Sequence, residues 1–321
     1  MKQPRLNVAV TVDVEEEGLF SGSYSSGPTS VSNVKHLWRL DSVFRDHGVK
    51  PTLLVSHQVA RDGECRKTLI TLRDRWNAEI GAHLHHWNTD PVVQLNHRQP
   101  IPSELIPRDI LRSKIDNLGN ELLSFCGVGP VSFRMGRFNL GPGMFSVVEE
   151  MGFRVDSSIE PLRSEYGGPD HLVAPAEPYY PDPSDPVRKG HSRVLEAPIT
   201  INPIFGGAGD ILERARARGL LSNDKLMSIA SSLFSIPAQP AWVGLNAAKA
   251  GVMFHRIKGG RFLTIFFHSS ELAPGMNPLH PTEDSVQLFL RKLKHFLVWL
   301  SDRYDARFVT LSEYPEIFDQ T

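Results

Sequence analysis

Short apolar runs recur along the chain: LNVAVTV (6–12), PTLLV (51–55), AEIGAH (78–83), PVSFR (130–134), FRVDSS (153–158), VLEAPITI (194–201), FLTIFFH (262–268) and RFVTL (307–311). Most are continuously apolar rather than alternating, which predicts strands covered on both faces. Between most of them lie segments with helical periodicity. In 33–48, Val34, Leu37, Leu40, Val43 and Phe44 fall on one stripe that closes on Gly48, a helix-ending residue type. The segment 284–304 repeats the pattern at greater length. Buried strands alternating with amphipathic helices predict an α/β fold with a parallel sheet, and about eight such units predict a barrel rather than an open sheet. Two regions break the repeat. Residues 159–193, containing EPYYPDPSDP, read as a long loop, and 205–240 carry GGAGD and then a helical pattern ending at IPAQP. Both are expected to be insertions, either beside a substrate mouth or as solvated excursions. No linker divides the chain, so 1–321 is read as a single domain.

Composition narrows the function classes. With 35 basic against 36 acidic side chains in 321 residues, the formal charge is −1, and no basic field calls for nucleic acid or an anionic membrane. The two cysteines, Cys65 and Cys126, lack C-x-x-C spacing, so neither a disulfide framework nor cysteine-ligated zinc is expected. The apolar stretch near the amino terminus is too short for a signal peptide. FLTIFF (262–267) and FLVWL (296–300) fall well short of the roughly 18 apolar residues of a membrane span. The expectation is a cytoplasmic protein of unread oligomeric state.

The carboxyl ends of the strands carry the chemistry, as a barrel requires. In TVDVEEE, Asp13 and Glu15 are two apart on a strand and share a face, so one carboxylate can bind metal while the other takes a proton. HLHH places three histidines in four positions. His83 and His85 share a side if the strand continues, whereas His86 becomes the better partner of His83 if the chain turns helical. Two imidazoles and one carboxylate leave coordination positions open, which suits a catalytic zinc-type ion. His268 closes a strand and precedes two serines and Glu271; at a barrel mouth it can donate a proton to a leaving group. Arg134 and Asp156 can orient such groups.

Taken in order, TVDVE (11–15), EIGAHLHHW (79–87), SFRMGRF (132–138), VDSS (155–158) and IFFH (265–268) resemble the five motifs of the NodB-type polysaccharide deacetylases, carbohydrate esterase family 4. The resemblance spans nearly the whole chain. It implies a distorted (β/α) barrel of seven or eight parallel strands, a divalent metal, zinc first among them, and removal of an acetyl group from an amino sugar. It places the base on Asp13, the metal carboxylate on Glu15 and the first imidazole on His83; the strand-end groups add Arg134 to orient Asp13, His268 as the acid and Asp156 to hold His268 in its tautomer. The chain departs from the family pattern in three places. Asp13-Val14-Glu15 replaces adjacent aspartates, and Gly136 stands where proline is usual. Four residues beyond His83 lies Trp87, whose indole cannot bind metal, so His85 or His86 must substitute.

Trp87, Arg137 and Glu271 are candidate substrate contacts. The implied substrate is an amino sugar or glycan precursor, nucleotide-linked or lipid-linked, of the kind used in surface polysaccharide or lipopolysaccharide synthesis. A formamido sugar or another amide hydrolysed on the same fold, and a glycan-binding protein without catalysis, are the alternatives; an exposed Trp87 would suit the latter.

Overall fold

The computed structural model describes residues 5–22, 24–97, 101–164 and 169–320. Its strands are β1 (Asn7–Val14), β2 (Thr52–Ser56), β3 (Glu79–Leu84), β4 (Ser132–Met135), β5 (Val155–Asp156), β6 (Pro181–Asp182), β7 (Asp185–Lys189), β8 (Leu195–Glu196), β9 (Ile201–Pro203), β10 (Ser235–Pro237), β11 (Phe262–His268) and β12 (Arg307–Phe308). Eight of them form one parallel sheet in the order β11-β1-β2-β3-β4-β5-β8, with β12 beside the start of β1. Each of the eight apolar runs contributes one of these strands.

The sheet curls into a distorted (β/α) barrel, and β1 shows why its strands read as continuously apolar. Val8, Val10, Val12 and Val14 pack outward in the cluster that includes Leu69, Leu118 and Phe296 of the surrounding helices Gly63–Trp76, Arg108–Cys126 and Glu283–Tyr304. Ala9 faces the other way, into a smaller cluster with Leu54, Val155, Leu195 and Tyr314. Both faces are buried, so neither can be polar except where chemistry demands it. The Tyr314 hydroxyl fastens this second cluster, accepting from the Ala9 N–H at 3.0 Å and donating to the Leu263 carbonyl at 2.9 Å.

No ladder joins β8 to β11 among the described residues. The gap is bridged instead by Thr200 and the buried side-chain amide of Gln239. The Thr200 N–H donates to the Thr264 carbonyl at 3.0 Å. Gln239 Nε2 donates to the carbonyls of Thr264 and Thr200 at 2.9 and 3.2 Å, while its Oε1 accepts from the Phe266 N–H at 3.1 Å. A side chain stands in for a strand's peptide group, satisfying backbone that burial would otherwise leave unpaired.

Two local expectations change, and the helical pattern of a third segment resolves into two helices. The segment 33–48 is a 3₁₀ helix, Ser32–Leu40, followed by a short α-helix, Asp41–Asp46. The spacing of Val34, Leu37, Leu40 and Val43 by threes matches three residues per turn better than 3.6. The described residues of 159–193 are largely packed rather than solvated. Ile159, Leu162, Leu172 and Tyr179 are buried there, and Tyr179 pairs its backbone with Glu196. The segment 205–240 holds two helices, Ala208–Ala217 and Asp224–Leu233, leading into β10. No helix among the described residues is long and apolar enough to cross a membrane.

The packed state of 159–193 makes stability acid-sensitive. His171 is fully buried, accepting from the Glu160 N–H at Nδ1, and burial lowers its pKa from 6.5 to about 4, against a smaller opposing effect of the Leu140 carbonyl. The folded protein therefore holds His171 neutral while the unfolded chain protonates it. The resulting stability is present above about 6.5 and lost as pH falls toward about 4, by up to about 3 kcal/mol. Denaturant unfolding across this range should show that His171→Gln, which keeps an acceptor for the Glu160 N–H, has a shallower pH dependence than the wild type. Parallel curves would remove His171 as the cause.

Candidate metal and catalytic site

Parallel registry brings the reactive residues to one rim, since Asp13 lies opposite His268 and His83 opposite Arg134. Strand alternation carries on from Leu84, so His83 and His85 project to the same side. His83 Nδ1 donates to the Arg134 carbonyl at 3.1 Å, and His85 Nδ1 donates to the Glu16 carboxylate at 2.7 Å. Both partners accept here, so each ring is held with its Nε2 turned toward Glu15, the atom a metal would take in place of a proton. The two Nε2 atoms stand 3.0 Å apart, and Glu15 Oε2 is 3.3 Å from each. Three buried electron-rich atoms this close repel one another unless a cation sits among them. A proton can serve, and a metal of zinc type fits the two nitrogens and one oxygen.

The supporting contacts point the same way. Glu16 accepts from Ser56 Oγ at 2.9 Å and from the Asn88 amide, and so fixes the His85 ring from behind. Burial alone would raise the Glu16 pKa, but His85 reverses this and brings it down to about 2. Glu15 is likewise held well below the ordinary carboxylate range: burial opposes its charge, and His268, His83 and His85 outweigh that. His85 is raised to about 10, burial opposing and Glu16 and Glu15 prevailing.

His86 and Trp87 take other places. His86 is buried near Ile101 and Lys114, and burial, then Lys114, lower its pKa to about 4. It is absent from the cluster because the chain leaves the extended path after His85 and turns, the Thr89 N–H donating to the His85 carbonyl at 3.0 Å. Trp87 is only 5% exposed, with its ring stacked on His85 at 4.4 Å. It backs His85 and also lines the cavity described below. Gly136 completes this arrangement, since any Cβ there would fall on the His85 ring and within 2.9 Å of the Leu84 carbonyl. The glycine at this position and the shifted histidine are thus one steric fact.

Arg134 anchors the other half of the site. Fully buried, it donates from Nη1 to Asp13 Oδ1 at 2.5 Å, from Nε to the Ser157 carbonyl at 2.7 Å, and from Nη2 to Thr11 Oγ1 and Ser157 Oγ at 3.0 and 2.8 Å. The rings of Phe138 and Phe266 each lie 5.5 Å from its guanidinium.

The expected partner of His268 is replaced. Asp156 accepts from Ser158 Oγ at 2.7 Å and from the Ser158 N–H, and it shares a hydrogen bond with Glu196. Burial raises both of these acids, Glu196 well above its ordinary value, so the pair retains a proton and is occupied with itself. Glu271 instead accepts from His268 Nδ1 at 3.0 Å and from the His268 N–H at 3.0 Å. Its other oxygen lies 3.4 Å from His280 Nε2. Glu271 is 2% exposed, engaged with His268 and His280, and not among the residues that line the cavity beside the site. Burial would lower the His268 pKa, yet Glu15, Glu271 and Asp13 carry it up to about 9.

Asp13, Glu15, His83, His85 and His268 all line a cavity of about 300 Å³. Phe20, Tyr24, Trp87, Arg137 and Phe138 form much of its wall. The guanidinium of Arg137 lies 4.9 Å from the Tyr24 ring centroid, and Phe20 meets His268 edge-on at 5.0 Å. Arg137 and Phe138 both adopt left-handed backbone, φ 57° and 51°, an uncommon pair for residues with side chains. Sequence reasoning did not anticipate Glu16, Ser157, Phe20 or Tyr24. For Glu16 a signal existed, since it is the middle acid of the run 15–17.

No protein-family description and no curated protein sequence matches the chain. Solved structures do. A candidate glycoside hydrolase/deacetylase from Parabacteroides distasonis superimposes with TM-score 0.67 at 12% identity, over 99% of this chain and 72% of the other. A candidate polysaccharide deacetylase from Mycobacterium smegmatis gives 0.53 at 16% identity, over 100% and 95% of the two chains. The chain has the polysaccharide-deacetylase fold. Within that deacetylase fold, the strand-end residues described above occupy the carboxyl rim of the barrel, where barrels of this kind keep their reactive groups.

The geometry predicts unequal effects on metal affinity, measured by titration calorimetry with zinc. His85→Ala should abolish tight binding and His86→Ala should spare it. Glu16→Ala and Gly136→Ala, acting through the orientation of His85, should each weaken binding by about 10- to 100-fold. Loss of binding in His86→Ala with retention in His85→Ala would refute this arrangement.

Proposed function

We propose that the protein is a divergent NodB-type, carbohydrate esterase family 4 hydrolase that removes the N-acyl group, acetyl in the first instance, from an amino sugar or glycan precursor. The observation that carries this reading is the convergence of the Glu15, His83 and His85 ligand atoms beside Asp13 and His268 on one cavity. A zinc-type ion held by Glu15, His83 and His85 would polarise the acyl carbonyl and acidify the attacking water. Asp13 takes the proton from that water, with one carboxylate oxygen fixed by Arg134 so that the group cannot rotate away. His268, whose Nδ1–H is committed to Glu271, presents Nε2 to the cavity and protonates the departing amine. Glu271 thus takes the positioning role first assigned to Asp156. Asp156 and Glu196 instead flank Ser157 and Ser158, which brace Arg134 and the Met135 N–H. Phe20, Tyr24 and Phe138 give apolar faces against which a sugar ring can lie, with Arg137 at the wall as a polar contact.

The test is direct. Protein loaded with zinc or cobalt should release acetate and free amine from N-acetylated amino sugars. Asp13→Asn and His268→Ala should each lower kcat by about 10²-fold or more while metal content stays at the wild-type level. Formate release from formamido sugars in preference to acetate would move the acyl specificity and leave the mechanism in place. Bound metal with neither product across a panel of amides would end the hydrolase reading in favour of a glycan-binding protein.

A further inference from the structure

The helices Ala208–Ala217 and Asp224–Leu233 have apolar residues on two sides. Inward, Ala208, Leu212 and Met227 are buried in one cluster with Phe138 and Phe266. Outward, Leu226, Ile229 and Leu233 follow one another at i, i+3 and i+7 on a single stripe, and they are 44, 50 and 69% exposed. The stripe does not end with its helix. Phe234, half-buried against the inward cluster, meets the Phe205 ring at 5.7 Å, and its carbonyl accepts from the Ile204 N–H at 3.0 Å, which sets Ile204 and Phe205, 38 and 41% exposed, at the end of the helix. Lys258 donates to the neighbouring Pro203 carbonyl, which brings exposed Ile257 alongside. Contiguous exposed apolar surface of this kind marks a contact face.

Charge indicates what it contacts. Residues 204–258 carry seven Lys/Arg against three Asp/Glu, in a chain that totals 35 against 36. Exposed Arg214, Arg218, Lys225 and Lys258 belong to this excess. An apolar stripe with a cationic surround is the chemistry of a helix lying in the surface of an anionic bilayer. A second copy of the chain would set the same cations against one another across a two-fold axis. We propose that this face docks on the anionic surface of a lipid bilayer, so that the adjacent cavity works on an acylamino sugar tethered to that membrane. The second half of the proposal rests on the hydrolase reading above. The link between the two is Phe138, which lines the cavity and packs in the cluster beneath the helices.

Sedimentation of the zinc-loaded protein with vesicles tests the docking. Binding to phosphatidylcholine mixed with phosphatidylglycerol should exceed binding to phosphatidylcholine alone by about tenfold or more and weaken with added salt. Ile229→Asp combined with Leu233→Asp should lose at least about tenfold in binding, with Tm, zinc content and turnover of a water-soluble amide preserved. Arg218→Glu combined with Lys225→Glu should remove the preference for anionic lipid and leave the apolar stripe intact. Equal vesicle binding by wild type and the Asp variant would overturn the proposal. So would a wild-type dimer that binds no vesicles and becomes monomeric in the Asp variant. Vesicle binding requires no catalysis, so the two readings fail separately. Docking without turnover of any amide sinks the hydrolase, and turnover without docking sinks the membrane face.

Discussion

Arg134 is the constraint on which both halves of the site depend. Placing a guanidinium inside a barrel is unfavourable by several kcal/mol unless its donors are met. Asp13 and Thr11 on β1 and Ser157 just beyond β5 meet them here, with two aromatic rings closing the sides. The same residue acts through its backbone, because its carbonyl fixes the Nδ1–H of His83 and hence turns Nε2 toward Glu15. One position on β4 therefore orients the proposed base with its side chain and a proposed ligand with its main chain. Any shift of β4 against β1 would disturb both at once, which couples the barrel's register to its chemistry.

The acids of the first motif follow the same logic of partnership. Asp13, Glu15 and Glu16 lie within four residues and are all buried, an arrangement that repulsion would forbid if they shared one environment. Each has its own counter-group: Arg134 for Asp13, His268 for Glu15, and His85 with Ser56 and Asn88 for Glu16. The site is thereby organised before any ligand arrives, and its rigidity comes from paired charges rather than from close packing of methyl groups alone.

The strands were legible in the sequence because burial on both faces writes an unbroken apolar run, and Val8 to Val14 with Ala9 is the plainest case. The 3₁₀ helix at Ser32–Leu40 escaped because its three-residue spacing also satisfies a loose helical stripe. Gln239 could not be foreseen, since nothing local marks a glutamine that replaces a peptide group across a strand gap. At the site, residue types were readable and partnerships were not. Counting four residues on from His83 pointed to Trp87, whereas plain strand alternation gave His85. The three-residue step from His268 to Glu271 was visible, yet Asp156 was chosen as the strand-end carboxylate and is engaged with Ser158 and Glu196.

The inserted helices pose the remaining physical question, which is why a fold that buries its apolar residues so consistently leaves a stripe of them in water. Packing does not require it. Leu212 and Met227 already fill the inward positions of these helices, and polar residues at 226, 229 and 233 would leave that contact unchanged. Helix propensity does not require it either, because lysine or glutamate would serve an exposed helix as well as leucine and better than isoleucine. Exposed apolar area is unfavourable by about 25 cal/mol per Å² relative to burial, so the stripe gains its free energy only when something covers it. The local excess of lysine and arginine restricts that cover to a surface carrying negative charge, and the cluster beneath ties the covered face to the wall of the reactive cavity through Phe138.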